Sequence, residues 1–322
     1  MRRTYVDDTC RWARGVYYVA MNRLTALTVL RLGALSLPVA WVACGSDDPA
    51  TAPVDAGADV ADAAPFDASP PVDAADAADA APPVDLAIYV HSATTLYRFD
   101  PDARSLDAVG VFSCAADRVF NIAVNVSGEI YGVTSQGLVR IDPKTAFCAP
   151  VAKGVYPQAL TFVPKGMLDA DREVLVGYSF AQYVRIDESS GVITALGALN
   201  PNPTQGQFLV SGDVVAGIGG HLFLTSLEGP AGDVLVEADP VTGKVIKRLG
   251  PNLPSVAMLG LAQWKGFGYA FSASGKIYKL SLKTGAASLV TLGADGGLPD
   301  GGGDGGIIAF AGAGVTTLAP LQ

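Results

Sequence analysis

The sequence predicts an all-β body, and three observations predict it. From Asp85 onward the chain breaks into short β-rich runs separated by Gly, Pro, Asp and Asn, with no long helical period. One phrase recurs, clearest in "LYRFDP", "LVRIDP" and "VLVEADP". Its copies align at Asp100, Asp142, Asp187, Asp239 and the degenerate Ser281, at spacings of 42, 45, 52 and 42 residues. Self-similarity at this period marks a stacked or radial β architecture.

Residues 1–44 come first and are read as a leader, with Met21 as the true start. Arg23 and Arg31 supply positive charge, Leu32–Ala43 are uncharged and mainly apolar, and small Ala43 precedes Cys44. That is the layout of a secretory signal. As helix the uncharged run would rise about 18 Å, short of the roughly 30 Å of a hydrocarbon core. The segment "WVACGSDD" resembles the bacterial lipoprotein signal, on Val42, Ala43 and Cys44, with Trp41 where an aliphatic residue is usual. The resemblance implies that Cys44 is acylated, becomes the mature N-terminus and holds the protein at a bilayer surface.

Residues 45–84 carry nine Asp and no basic residue, and Phe66 is their only aromatic. Such a tract buries too little apolar surface to offset its ordering entropy, and its Pro residues and like charges favour an extended spacer. The Asp run lacks the alternating spacing and closing Glu of a calcium loop.

Residues 85–322 are read as the folded body. In "DPVTG" Asp239 can accept from backbone amides ahead of it, Pro240 presets φ, and Gly243 supplies a left-handed position. The phrase is therefore a hairpin, and these Asp residues shape backbone. Each hairpin is flanked by the same strands, as in "NIAVNVS", "EIYGVTS", "GLVRIDP" and "FCAPVAK", and three further sets follow in 158–199, 213–250 and 258–293. Four antiparallel strands per unit is the composition of a propeller blade. N-terminal "LAIYVHS", "TLYRFDP" and "SLDAVGVF" match strands two to four, and C-terminal "GIIAFAGAGV" matches strand one. The expectation is a five-bladed β-propeller closed by the C-terminal strand joining three N-terminal strands. "IYGVTSQGLVRIDPKTAFC" and "VLVEADPVTGKVIKRLG" resemble the repeat unit of β-propeller proteins of bacterial cell envelopes, which implies an exported propeller but no particular activity.

Charge excludes one class of partner. Of the net −9, residues 85–322 carry sixteen Lys and Arg against twenty Asp and Glu. A balanced body lacks the basic face that nucleic acid needs. Cys114 and Cys148 form an even pair in an exported body, so a disulfide is allowed by compartment; the strand scheme, with Cys114 ending one outer strand and Cys148 beginning that of the next blade, argues for a separation beyond the roughly 7 Å Cα limit, and both outcomes stay open. His91 and His221, both placed in second strands, are read as structural. No catalytic residue or metal site is assigned and no cofactor is expected, apart from weak Ca²⁺ collection by Asp295, Asp300 and Asp304 in the glycine-rich 294–306. A single body tryptophan, Trp264, disfavours the quinone-dependent propellers, which resemblance would give one per blade.

The function expected is a lipid-anchored extracytoplasmic binding or scaffold protein, at the outer membrane in preference to the inner, presenting loops to an envelope protein or glycan. The alternatives are a metal-assisted lactonase-like hydrolase or lyase, for which Asn121 and Asn125 are the nearest channel candidates, and a purely structural envelope protein.

Overall fold

Twenty strands make five four-stranded antiparallel sheets among the described residues of a computed structural model. Those residues are 86–200, 208–228, 232–254, 257–293 and 307–320, all within the unit Ala74–Gln322. The leader, Cys44, the spacer and 294–306 with its three Asp lie outside them.

In chain order β1 (Ile88–His91), β2 (Thr95–Asp100) and β3 (Ser105–Val111) come first. The next sheet is β4 (Val119–Val124), β5 (Ile130–Thr134), β6 (Gly137–Ile141) and β7 (Cys148–Lys153). The third is β8 (Ala159–Val163), β9 (Val174–Ser179), β10 (Gln182–Ile186) and β11 (Ile193–Ala198). The fourth is β12 (Phe208–Ala216), β13 (Leu222–Glu228), β14 (Asp233–Ala238) and β15 (Val245–Leu249). The fifth is β16 (Met258–Trp264), β17 (Phe267–Ser272), β18 (Ile277–Ser281) and β19 (Ala287–Val290). Short β20 (Gly312–Gly314) pairs antiparallel with β1, Tyr89 opposite Gly314 and His91 opposite Gly312, so one sheet runs β20-β1-β2-β3.

The leading strands β20, β4, β8, β12 and β16 neighbour one another in that cyclic order, with β16 returning to β20. The fold is a five-bladed β-propeller. Burial explains the strand pattern. Inner and middle strands such as β5, β8 and β14 are buried at every position, so they read as unbroken apolar runs, whereas outer β11 is mostly exposed. The core fills the spaces between sheets. Phe99 meets Tyr269 and Phe271 at ring-centroid distances of 5.7 and 5.4 Å, joining the first sheet to the last. Tyr131 meets Phe162 at 5.8 Å, joining the second to the third.

The recurring phrase shapes backbone twice over. Asp142 Oδ1 accepts from the amides of Lys144 and Thr145 at 2.9 and 2.8 Å, and Asp239 Oδ1 from those of Val241 and Thr242 at 3.0 and 2.7 Å. These bonds hold the Asp142 carboxyl below its usual range. Gly243 sits at φ 69°, as the sequence anticipates. The same turn also seats on the preceding sheet. Tyr178 and Tyr183 of the third sheet donate to the carbonyls of Gly243 and Pro240 at 2.8 and 2.7 Å. Tyr156 likewise donates to Gly191 at 2.9 Å. Where the ring closes, a backbone amide takes the place of the tyrosine hydroxyl: Gly293 donates to the carbonyl of Arg104, after the Asp100 turn of the first sheet, at 3.1 Å.

Two expected elements differ from the observed ones. The first strand of the fourth sheet, read as 213–219, is Phe208–Ala216, and its pairing with β13 shifts between Val210 and Val214. That β-bulge breaks the alternation on which sequence reading depends. The C-terminal strand, read as ten residues, has three. It is squeezed between neighbouring backbones: a Cβ on Gly260 would lie 2.8 Å from the carbonyl carbon of Gly312.

Candidate functional site

Strands of a meander alternate in direction, so each sheet sends its first and third hairpins to one end of the ring. The second hairpins and the sheet-to-sheet connections go to the other. The Asp turns, His221 and most ion pairs occupy the first end, and Phe180 and Val155 the second. Three places deserve description: the ring axis and the two ends.

At the axis β4, β12, β16 and β20 converge on Asp213, which is fully buried. Asn121 Nδ2 donates to its Oδ1 at 2.8 Å, as does the Val214 amide at 2.8 Å. The Leu261 amide donates to Oδ2 at 3.0 Å, and the Ala313 amide adds a further bond. The Asp213 amide donates to Thr225 Oγ1 at 3.1 Å, which donates to the Met258 carbonyl at 3.1 Å. Burial pushes the Asp213 carboxyl well above its usual range, against the pull of these donors. Asn121 spends its amide on Asp213 and on the Gln158 carbonyl at 2.5 Å.

The other channel candidate, Asn125, is not brought to this cluster. It holds the β4–β5 turn, donating to Glu129 Oε2 at 2.8 Å. His91, the last residue of β1, is fully buried; its Nδ1 donates to the Ser92 carbonyl at 2.7 Å, and burial lowers its pKa to about 4, so it is neutral. The axis therefore ties four strands together. Asp213 and Asn121 are 0% and 1% exposed there.

At the charged end, His221 immediately precedes β13. Its Nδ1 meets Glu237 Oε1, while Lys247 Nζ lies 2.9 Å from Glu237 Oε2. The strand register puts Glu237 opposite both Phe223 and Lys247, which explains the convergence. Burial raises the Glu237 carboxyl, and the bonds from Lys247 and His221 outweigh it, leaving the group below its usual range. Leu282 and Lys283, from the turn of the next sheet, complete a shallow cleft of about 210 Å³. His221, read from sequence as merely structural, thus lines a cleft; its partner carboxylate and amine lie on other strands.

At the opposite end, Phe180 and Ala181 form the two-residue loop between β9 and β10. Phe180 is 75% exposed at φ 58°, the place where such a loop takes glycine. Val155, in the connection from β7 to β8, is 92% exposed. The Phe180 carbonyl accepts from the Val210 amide at 3.4 Å, which fixes the loop against β12.

Cys114 and Cys148 are joined, with Cα atoms 5.7 Å apart. The distance inferred from strand order was too long because Cys114 does not end a strand. It lies in the connection after β3, which crosses to the next outer strand; Ser113 donates its amide to Ala146 at 3.2 Å and receives the Cys148 amide on Oγ at 2.8 Å.

Among the described residues no group of three or more His, Cys, Asp or Glu is placed to hold a metal, and no helix is long and apolar enough to cross a membrane. No protein-family model and no curated relative matches the chain. Among solved structures it is similar to BamB from Moraxella catarrhalis, at 14% identity and TM-score 0.32, over 64% of this chain and 59% of that one. It is also similar to a protein of unknown function from Bacteroides caccae, at 12% identity and TM-score 0.36, over 64% and 72%. The Dos1 propeller is similar at 13% identity and TM-score 0.35, over 65% and 56%. The chain thus spans less than two thirds of the BamB and Dos1 structures, and its fold rests on its own sheet topology.

Proposed function

We propose that the chain is an exported binding or scaffold protein, held at the cell envelope by a lipid on Cys44, whose propeller presents the Phe180 end to a protein partner. One observation carries the binding role. The two-residue loop demands a left-handed residue, and a bulky aromatic, 75% exposed, fills the position at a cost of about 1–3 kcal/mol that glycine would avoid. Strain of this kind concentrates where a surface is used. Val155 adds exposed apolar surface at the same end of the ring.

The test turns on a trade-off. Phe180→Gly is expected to raise the melting temperature, since glycine suits φ 58°, while abolishing partner cross-links that the native protein forms in isolated envelopes. Val155→Asp is expected to weaken the same cross-links without changing the melt. Undiminished cross-linking in both variants would overturn the role of this end.

The anchor is supported by the residues Val42-Ala43-Cys44 that follow an uncharged run. A buried acyl methylene contributes about 0.8 kcal/mol of membrane affinity. Cys44→Ser is expected to move the protein from the membrane to the aqueous fraction. Mass spectrometry of the N-terminal peptide should show the lipid lost; an unmodified native Cys44 would remove this part of the proposal.

A further inference from the structure

We infer that the cleft at the charged end, lined by His221, Phe223, Glu237, Lys247, Leu282 and Lys283, binds a small organic monoanion through its carboxylate, a hexuronate being the size and chemistry it suits. The site lies at the opposite end of the ring from Phe180 and is independent of the protein-binding role.

The argument begins with charge. Glu237 is largely buried, and both of its oxygens are engaged, one by His221 and the other by Lys247. It fixes His221 and Lys247 at the rim, where their side chains remain 44% and 56% exposed. Lys283 adds an exposed ammonium from the facing turn. Two lysines against one glutamate leave the lining net positive. Asp239 is ionised and electrostatically coupled to His221, but it lies outside the lining, its Oδ1 accepting from Val241, Thr242 and the Thr242 hydroxyl within its own turn.

The same inventory sets the ligand's charge. Lysine is a compact point charge, suited to one carboxylate, whereas a dianion is best held by an arginine fork or a nest of amides. A dianion here would also face Glu237. Size and floor set its body. The cleft of about 210 Å³ is equivalent to roughly seven waters, room for one sugar-sized molecule. Phe223 and Leu282, both buried, give a floor that carbon atoms can cover.

The chain has only two histidines, so its ¹³Cε1-histidine spectrum supplies a reporter at His221 and a control at buried His91. Titration of the full chain with sodium glucuronate is expected to shift the His221 resonance saturably and leave His91 unmoved, while glucose at the same concentrations shifts neither. Lys283→Ala, at an exposed position, is expected to fold normally and weaken glucuronate about twofold to fivefold, the worth of one partly screened charge pair. Three results would overturn the inference: no saturable His221 shift, an equal response to glucose, or affinity unchanged in Lys283→Ala. Inorganic phosphate binding as tightly as glucuronate would overturn it too, since the cleft would then read charge without the carbon body.

Discussion

Asp213→Ala is expected to lower the unfolding free energy by about 3–5 kcal/mol at mildly acidic pH, the scale for removing one member of a buried polar set. The carboxylate is the common acceptor for Asn121 on β4, Val214 on β12, Leu261 on β16 and Ala313 on β20. Without it these donors are stranded where the inner strands pack too closely for replacement side chains. Asparagine is no substitute. Once Asp213 is ionised both of its oxygens accept, so either orientation of an amide turns its NH₂ toward a donor, and above the pH at which the carboxyl loses its proton Asp213→Asn should lose nearly as much. Denaturant midpoints at unchanged slope are the measurement; a wild-type midpoint in both variants would show that the four strands hold without the carboxylate.

Asp213 also predicts a pH dependence. Burial raises its folded-state pKa above the ordinary 3.8, so the folded protein keeps the proton over a window that opens near 3.8 and extends upward. Stability from this group is fully present below the window and is lost as pH rises through it. The difference between wild type and Asp213→Ala should therefore narrow with rising pH. A difference that widened would mean that the donors outweigh burial.

Much of this was legible in the sequence, and the reasons are local. Each hairpin announces itself through an acceptor side chain and a glycine or its stand-in. Where strands are regular, as in Met258–Trp264, the sequence boundary and the observed one coincide. What periodicity could not show depends on residues far apart in the chain. Asp213 stands out in "VSGDVVAG" as a lone charge inside an apolar run, yet its meaning comes from amides on other sheets, and the bulge at Val210–Val214 hid the phase of its strand. The His221 cleft is assembled from β13, β14, β15 and the next sheet's turn. No short motif spells that combination. Phe180 was passed over because a two-residue loop without glycine reads as ordinary strand continuation. Its significance is conformational.

Breaking the Cys114–Cys148 bridge is expected to lower stability by about 4 kcal/mol, because a cross-link between residues 34 apart removes loop-closure entropy from the unfolded chain. For a body of this size that corresponds to roughly 10 °C in melting temperature. Its position gives the bridge a second effect. The first sheet takes its innermost strand from the far end of the chain, and that strand is paired with β1 at only three residues. When β20 frays, the bridge still fastens the β3 side of this sheet to β7 of the next, so the ring is expected to open at β20 without shedding β1–β3. Calorimetry should show reduced wild type and the Cys114→Ala, Cys148→Ala variant melting together below the oxidised protein. Hydrogen exchange at Tyr89 and His91, whose amides face β20, should be fast in all three relative to the amides of β2, but protection across β2 and β3 should persist only in the oxidised form. Coincident oxidised and reduced melts would remove the bridge as a stabilising element.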